Sequence, residues 1–404
     1  MSDKILQIHD TLRQKTIFNL IENTSTLGDS NPFREGKIPL MCDFCRDHHF
    51  PSDVAYESGN RSLFFRSSNN MIKAKGVGIP IGFTRPFFDD GCIYSYKLLN
   101  DPGMCHKSIF WGFMEEEEFL SECYGAKKAE ELGQRVKLLG YTSFNIFTMA
   151  LKDRPELFAA TRGVEKGQRF ENILKKSSKE IGYSVFYSLP SDIRVQEILF
   201  TFIFPQVTEL IDKNEIKDYT SWLGESCGTL LNQYHRSGSM HGTWLGEKTV
   251  YGFLDIHSNS YTGNYVVDEE GITMCDFDLA KPIGEEKFKE IEKWSLIHME
   301  NPLHYAGSLN PSDSLKLGIA RKNPFREELA EIFRRSVEKG YTKKHISIDK
   351  TWIIKMLEDV ARSKSLLWKL YELPLDVGTR IDYIDHVISS KKIDKNRLNE
   401  ILNS

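Results

Sequence analysis

The chain has 404 residues, 40% hydrophobic and 27% charged, ordinary values for a globular protein with apolar material for two or three packed bodies. Its 53 basic and 57 acidic residues leave a formal net charge of -4. That balance excludes the strongly basic field expected of a non-specific nucleic-acid or membrane binder. The longest apolar run, Ile198 to Phe204, closes at Pro205 and falls far short of the roughly 20 residues a membrane-spanning helix needs. The opening MSDKILQIHD carries acids and lacks the apolar centre of a secretion signal. Seven scattered cysteines, an odd number, fit reduced thiols better than a disulfide framework. These features predict a cytoplasmic chain with no nucleic-acid or membrane partner.

Residues 1–60 read as an N-terminal extension, a short helical opening followed by a stretch rich in Asn, Asp, Pro and Gly. Within it Cys42 and Cys45, with His48 and His49 close behind, have the spacing of half a zinc site, and no second cysteine pair stands at a suitable distance to complete it. Two hairpin-like units follow. SLFFRSS and MIKAKGVG meet at Asn69-Asn70, and FTRPFF and CIYSYKLL meet at Asp89-Asp90-Gly91. From Phe113 to Leu132 the apolar positions Phe113, Phe119, Leu120, Cys123 and Ala126 make a one-sided helical stripe, with Gly133 as C-cap. VKLLGYTSFNIFTMAL reads as further strand. From about residue 190 the spacing turns helical, in VQEILFTFIFPQVTELI and YTSWLGESCGTLLNQYHRSG, and after residue 285 almost everything is helical. The amphipathic spacing of TWIIKMLEDVARSKSLLWKLYEL is that of core packing. The predicted class is α+β, with a β-rich part carrying one long helix over residues 61–189 and a mostly helical part over 190–404.

The chemistry concentrates between Tyr234 and Pro282. Asn264 opens a short strand, NYVVD; Glu269-Glu270-Gly271 makes a turn; ITMCDF is the return strand, ending in Asp276-Phe277-Asp278. The hairpin folds an amide and a carboxylate, twelve positions apart, back toward each other. Hard oxygens of this kind suit Mg²⁺. Upstream, GTLLNQYHRSGSMHG leads a helix into His241-Gly242. Counting back five from Asn264 reaches Asn259, whose amide can position a hydroxyl but cannot take its proton. Asp255 is the carboxylate close by. In the first half, Glu115 to Glu118 and Glu122 make an acidic helix on which Glu118 and Glu122 share a face. Lys75, in Lys75-Gly76-Val77-Gly78, and Lys97, at the end of IYSYKLL, are the cations on nearby strands.

These segments resemble the protein-kinase-like superfamily over about half the chain, roughly residues 60–135 and 222–282. Asn264 and Asp276 are similar in type, order and spacing to the two metal-binding residues of kinases. His241-Gly242 resembles the loop of antibiotic and other small-molecule kinases, where the catalytic Asp follows at once and the Asn five positions later. Here Thr243 follows instead, and 21 residues intervene before Asn264. Lys75-Gly76-Val77-Gly78 and EFLSECYGAKKAEELG resemble segments of selenoprotein O, a kinase-like enzyme that transfers AMP to proteins. Two departures stand out: Asp278 in place of the kinase Gly, and Gly263 where selenoprotein O has Asp before its Asn.

The resemblance implies a two-lobed fold and an ATP- and Mg²⁺-dependent phosphotransferase. Lys75 or Lys97 would grip phosphate, paired with Glu118 or Glu122. Asn264 and Asp276 would hold the metal, with Asp255 or Asn259 at the place of the base. The acceptor is an unknown protein or small molecule. AMP transfer to protein, and a nucleotide-binding pseudokinase without turnover, are the alternatives.

Overall fold

The computed structural model describes residues 55–57, 62–67, 70–76, 114, 116–145, 181–248, 254–298, 301–303 and 323–371. They form an α+β structure of eleven short strands in small sheets and six α-helices. They fall into two compact units. One draws on 17–123 and 137–188, the other on 124–136 and 189–404. The predicted segments FTRPFF and CIYSYKLL, the Cys42, Cys45, His48 and His49 group, and Lys97 lie outside the described residues.

The first unit is built on one five-stranded sheet. Its strands are β1 (Ala55–Glu57), β2 (Ser62–Ser67), β3 (Asn70–Lys75), β4 (Lys137–Asn145) and β5 (Ile181–Leu189), in the order β1-β2-β3-β5-β4. The expected first hairpin forms: β2 pairs antiparallel with β3, Ser67 opposite Asn70. Alternation along β3 puts Met71, Lys73 and Lys75 on one face, all buried. Helix α1 (Glu116–Glu131) begins three residues later than the apolar stripe suggests, at the run of glutamates that complements the positive end of a helix. Its Phe119 stacks on Tyr183 of β5 at 4.6 Å between ring centres and tilts against Tyr141 of β4 at 4.7 Å. Residues 116–123 of the helix belong to this unit and the remainder to the second.

The second unit is mostly helical. Helix α2 (Val195–Phe202) stops short of the expected span, because Pro205 cannot continue it, and a 3-10 turn (Pro205–Glu209) takes over. Helix α3 (Lys213–Arg236) starts where Asp212 accepts the Asn214 N–H at 2.8 Å. Strands β6 (Ser239–Met240), β7 (Thr243–Lys248), β8 (Leu254–Ser258), β9 (Tyr265–Asp268), β10 (Gly271–Met274) and β11 (Lys281–Pro282) pair antiparallel as β6-β11, β7-β8 and β9-β10. Helices α4 (Glu286–His298), α5 (Phe325–Thr342) and α6 (Lys350–Tyr371) complete it. Among the described residues no helix is long and apolar enough to cross a membrane.

Helix α3 is the spine of this unit. Its buried stripe, including Ile216, Tyr219, Leu223, Cys227, Leu231 and Tyr234, follows the helical period, and α5 opposes it with Leu329, Phe333 and Val337. Small residues let the two backbones meet. A Cβ on Gly228 would stand 2.2 Å from the Val337 carbonyl oxygen, and one on Gly340 would stand 2.1 Å from that of Glu225. Thr229 Oγ1 donates to the Gly340 carbonyl at 2.9 Å across the same seam. Because the obstacles are backbone, they cannot rotate aside. Gly228→Ala is therefore expected to force α3 and α5 apart and to destabilise the protein by about 1–3 kcal/mol, the ordinary cost of overpacking. Urea unfolding of the two proteins measures it, and an unchanged midpoint would refute this account of the seam.

Candidate functional site

In the sheet unit, Lys75 ends β3 with its ammonium donating to Glu122 Oε2 at 2.9 Å. Both side chains are buried, 3% and 0% exposed. Of the pairings open in the sequence, this is the one seen among the described residues, and Lys97 lies outside them. Glu118, one turn earlier on α1, is also buried. Gly76 follows at φ +80°, and a Cβ there would stand 2.5 Å from the Tyr183 carbonyl oxygen, so glycine is required where β3 leaves the sheet. A buried ion pair costs desolvation that a surface pair avoids, so the structure holds Lys75 in one orientation.

In the helical unit, α3 delivers the chain to His241-Gly242, and a carboxylate on α4 holds that turn. Glu292 is fully buried. Its Oε2 accepts from the His241 N–H at 3.2 Å and from His235 Nε2 at 2.7 Å. Its Oε1 accepts from the Gly242 N–H at 2.6 Å and from Thr243 Oγ1 at 3.2 Å. The other nitrogen of His235 lies 2.6 Å from Tyr341 Oη. Burial, reinforced by Glu290 and Glu292, pushes the Tyr341 hydroxyl up to about 12, so it keeps its proton and can donate to the imidazole. Gly242 has φ +129°, and any Cβ there would meet Leu279 at 2.3 Å.

The long insertion after Gly242 is a β-hairpin. Strands β7 and β8 pair from Thr243 opposite Ser258, so the chain leaves and returns at one place. The Asn259 N–H donates to the Gly242 carbonyl at 2.9 Å, and Asn259 stands in space directly after His241-Gly242. Five residues on comes Asn264, whose Nδ2 donates back to the Asn259 carbonyl at 3.1 Å. Asp255 lies on β8, with its side chain outside the described residues.

Strands β9 and β10 form the expected hairpin, and the Cys275 N–H donates to the Asn264 carbonyl at 2.9 Å. Asn264 thus sits across from the residue before Asp276. Phe277 is fully buried, 5.4 Å from the His241 ring and 6.3 Å from Tyr234 between ring centres. With Phe277 anchored, Asp276 adopts φ +68°, an uncommon left-handed backbone for a residue with a side chain. Two donors brace it: the Asp276 carbonyl accepts from His241 Nε2 at 2.9 Å and from Asn259 Nδ2 at 3.0 Å. The same Asn259 amide donates to Asp278 Oδ1 at 2.8 Å. A carboxylate oxygen of Asp276 and one of Asp278 lie within 4.8 Å of each other. Arg194, just before α2, donates to the Gly263 carbonyl and reaches Asn264 Oδ1 at 3.5 Å.

The arrangement offers hard oxygens from two neighbouring carboxylates, on backbone fixed by His241, Asn259 and Glu292. Such a set can hold a small divalent cation, chiefly through Asp276 and Asp278. Glu292 and Arg194 were not found by reading the sequence. Glu292 had a signal: it lies three and four residues before Ser295 and Leu296, on the buried face of α4, where a carboxylate needs partners. Arg194 had none, since its partner Gly263 is 69 residues away. No protein-family model, no curated protein and no solved structure matches the chain.

Two stability measurements check the bracing. Glu292→Ala strips four donors of their acceptor in a dry interior and is expected to cost about 3 kcal/mol or more in urea unfolding. Glu122→Gln leaves the Lys75 charge buried without its counter-charge, for about 3–5 kcal/mol, whereas the double change Glu122→Gln with Lys75→Met recovers most of that loss. Additive losses in the double variant would show that the pair is not coupled.

Proposed function

We propose that the chain is an ATP-using phosphotransferase with a two-lobed protein-kinase-like fold, the sheet unit as its small lobe and the helical unit as its large one. The observation that carries this reading is the closure of the β7–β8 hairpin. With the hairpin set aside, the order in space is His241, Gly242, Asn259 and, five residues later, Asn264, an order that resembles the loop of small-molecule kinases with Asn in the place of Asp. Asn264 and Asp276 at the open end of the β9–β10 hairpin, and the buried Lys75–Glu122 pair, support it further.

The donor set fits Mg²⁺: Asp276 and Asp278 supply carboxylates close enough to share an ion, and Asn264 would add a neutral oxygen in place of its 3.5 Å contact with Arg194. Bound there, the ion would neutralise phosphate charge. In this reading Lys75, paired with Glu122 within the sheet unit, is the cation that would grip phosphate. Asn259 positions rather than catalyses: its NH₂ is spent on the Asp276 carbonyl and Asp278 Oδ1, and an amide takes no proton. Dissociative phosphoryl transfer asks little of a base, so Asn259 is compatible with turnover. The same residue favours a second reading, nucleotide binding without transfer. AMP transfer to protein is a third, motivated by the selenoprotein O-like segments.

The test incubates the protein with Mg²⁺ and ATP labelled separately at the α and γ phosphates, with cell lysate as acceptor. Label arriving from γ is expected. Asp276→Asn, which keeps a residue tolerant of the left-handed backbone, should reduce it by about a hundredfold or more, the loss of several kcal/mol of charge stabilisation. Label arriving from α would replace phosphate transfer by AMP transfer. Nucleotide binding with neither label transferred would establish the non-catalytic reading, and full activity in Asp276→Asn would overturn the metal site.

A further inference from the structure

We propose that a cavity on the helical unit, at the corner made by Trp222 and Trp352, binds a methylated ammonium cation. Trp222 lies on α3 and Trp352 in the first turn of α6. Their ring centres are 5.8 Å apart and their planes meet at 71°. Both indoles are half-buried, and they border an open cavity of about 300 Å³ whose other walls include Asp218, Glu225 and Asp349. That volume is at the lower end of ligand-sized sites and suits a small organic ion.

The corner is built on rigid supports. Trp352 packs edge-on to Tyr219 at 5.0 Å. Tyr219 is buried, and its hydroxyl donates to Asp359 at 2.9 Å. Burial and Asp359 push that hydroxyl up to about 12, so the bond persists across the ordinary pH range. Asp349 is oriented by the Trp352 N–H, which donates to its Oδ1 at 3.2 Å. Glu225 is engaged by Lys339 and Lys343, both at 2.5 Å. Asp218, exposed on α3, borders the cavity and has no side-chain hydrogen bond or ion pair among the described residues.

The chemistry of these walls selects the ligand. Indole faces carry negative potential and attract cations, most strongly soft ones whose hydration is weak. Both indoles, in edge contact with each other, border this one volume, and Asp218 and Asp349 add the counter-charge. Anions are repelled by the carboxylates. A metal ion needs oxygen ligands that converge on one point, and among the described residues Asp218, Glu225 and Asp349 do not form such a group. A primary ammonium keeps its water in so open a site, whereas methyl groups on nitrogen meet the indole faces directly while the charge is retained.

The experiment is calorimetric titration of the full chain with tetramethylammonium chloride, against 2,2-dimethylpropan-1-ol, a neutral molecule of similar size, at constant ionic strength. Saturable binding of the cation and none of the alcohol is expected. Trp222→Leu should weaken it about tenfold, the loss of one aromatic face. Asp218→Asn, an exposed change that leaves packing intact, should weaken it severalfold and make it less salt-sensitive. Equal binding of the alcohol would reduce the corner to an apolar crevice. Absence of saturable binding, or unchanged affinity in Trp222→Leu with circular dichroism confirming its fold, would overturn the proposal, as would stronger binding of guanidinium than of the methylated ion.

Discussion

The candidate site rests on one buried carboxylate. Glu292 accepts four hydrogen bonds, from the backbone of His241 and Gly242 and from the side chains of Thr243 and His235. Away from water each such bond is strong, and each missing one is costly, so the group tolerates few alternative arrangements. It ties together the end of α3, through His235, the turn that follows, and α4, which carries it. His241, placed by this tether, reaches the carbonyls of Cys275 and Asp276. The left-handed backbone at Asp276 is therefore held by a chain of contacts that begins in the core of the helical unit. This is the usual relation between strain and packing: a few contacts near a site keep an uncommon geometry that the local sequence would not keep alone.

The same unit shows how helix packing positions chemistry. Helix α3 meets α5 backbone to backbone through Gly228 and Gly340, and its far end feeds the His241-Gly242 turn. A seam of small residues fixes one register along the helix axis, because any shift drives a larger side chain into a carbonyl. Where α3 stops is thus set by packing along its length, and where it stops decides where the loop begins. The sheet unit does the equivalent with alternation. Strand β3 turns Lys73 and Lys75 to one face, and the helical period of α1 presents Glu122 to the second of them.

Much of this could be read from the chain. Local signals carried the hairpin at Ser67–Asn70, the hairpin from Tyr265 to Met274, helix α1, strand β4 and helices α3 and α6, since each depends on turn residues or periodicity within some twenty positions. The pair Lys75–Glu122 was visible as an alternative but not as a choice, because only packing decides which of two glutamates on one helix face meets a lysine 47 residues away. The β7–β8 insertion was opaque: it lacks a clear two-residue turn signal, and its register is irregular between Leu245 and Lys248. Arg194 and Glu292 were missed because their partners lie far along the chain. Helix α2 was read too long through its apolar composition, and Pro205, in plain view, sets its limit.

The closed stem of the β7–β8 hairpin separates distance along the chain from distance in space. Gly242 and Asn259 are seventeen residues apart in order and joined by one hydrogen bond in the fold. The excursion between them can therefore lengthen, shorten or change composition without moving either neighbour, provided the stem still pairs. Any description of this loop as a fixed string of letters breaks at that point, while one written as adjacency between backbone groups survives. What is constant in such a motif is who touches whom, and the count of residues between them is free to drift.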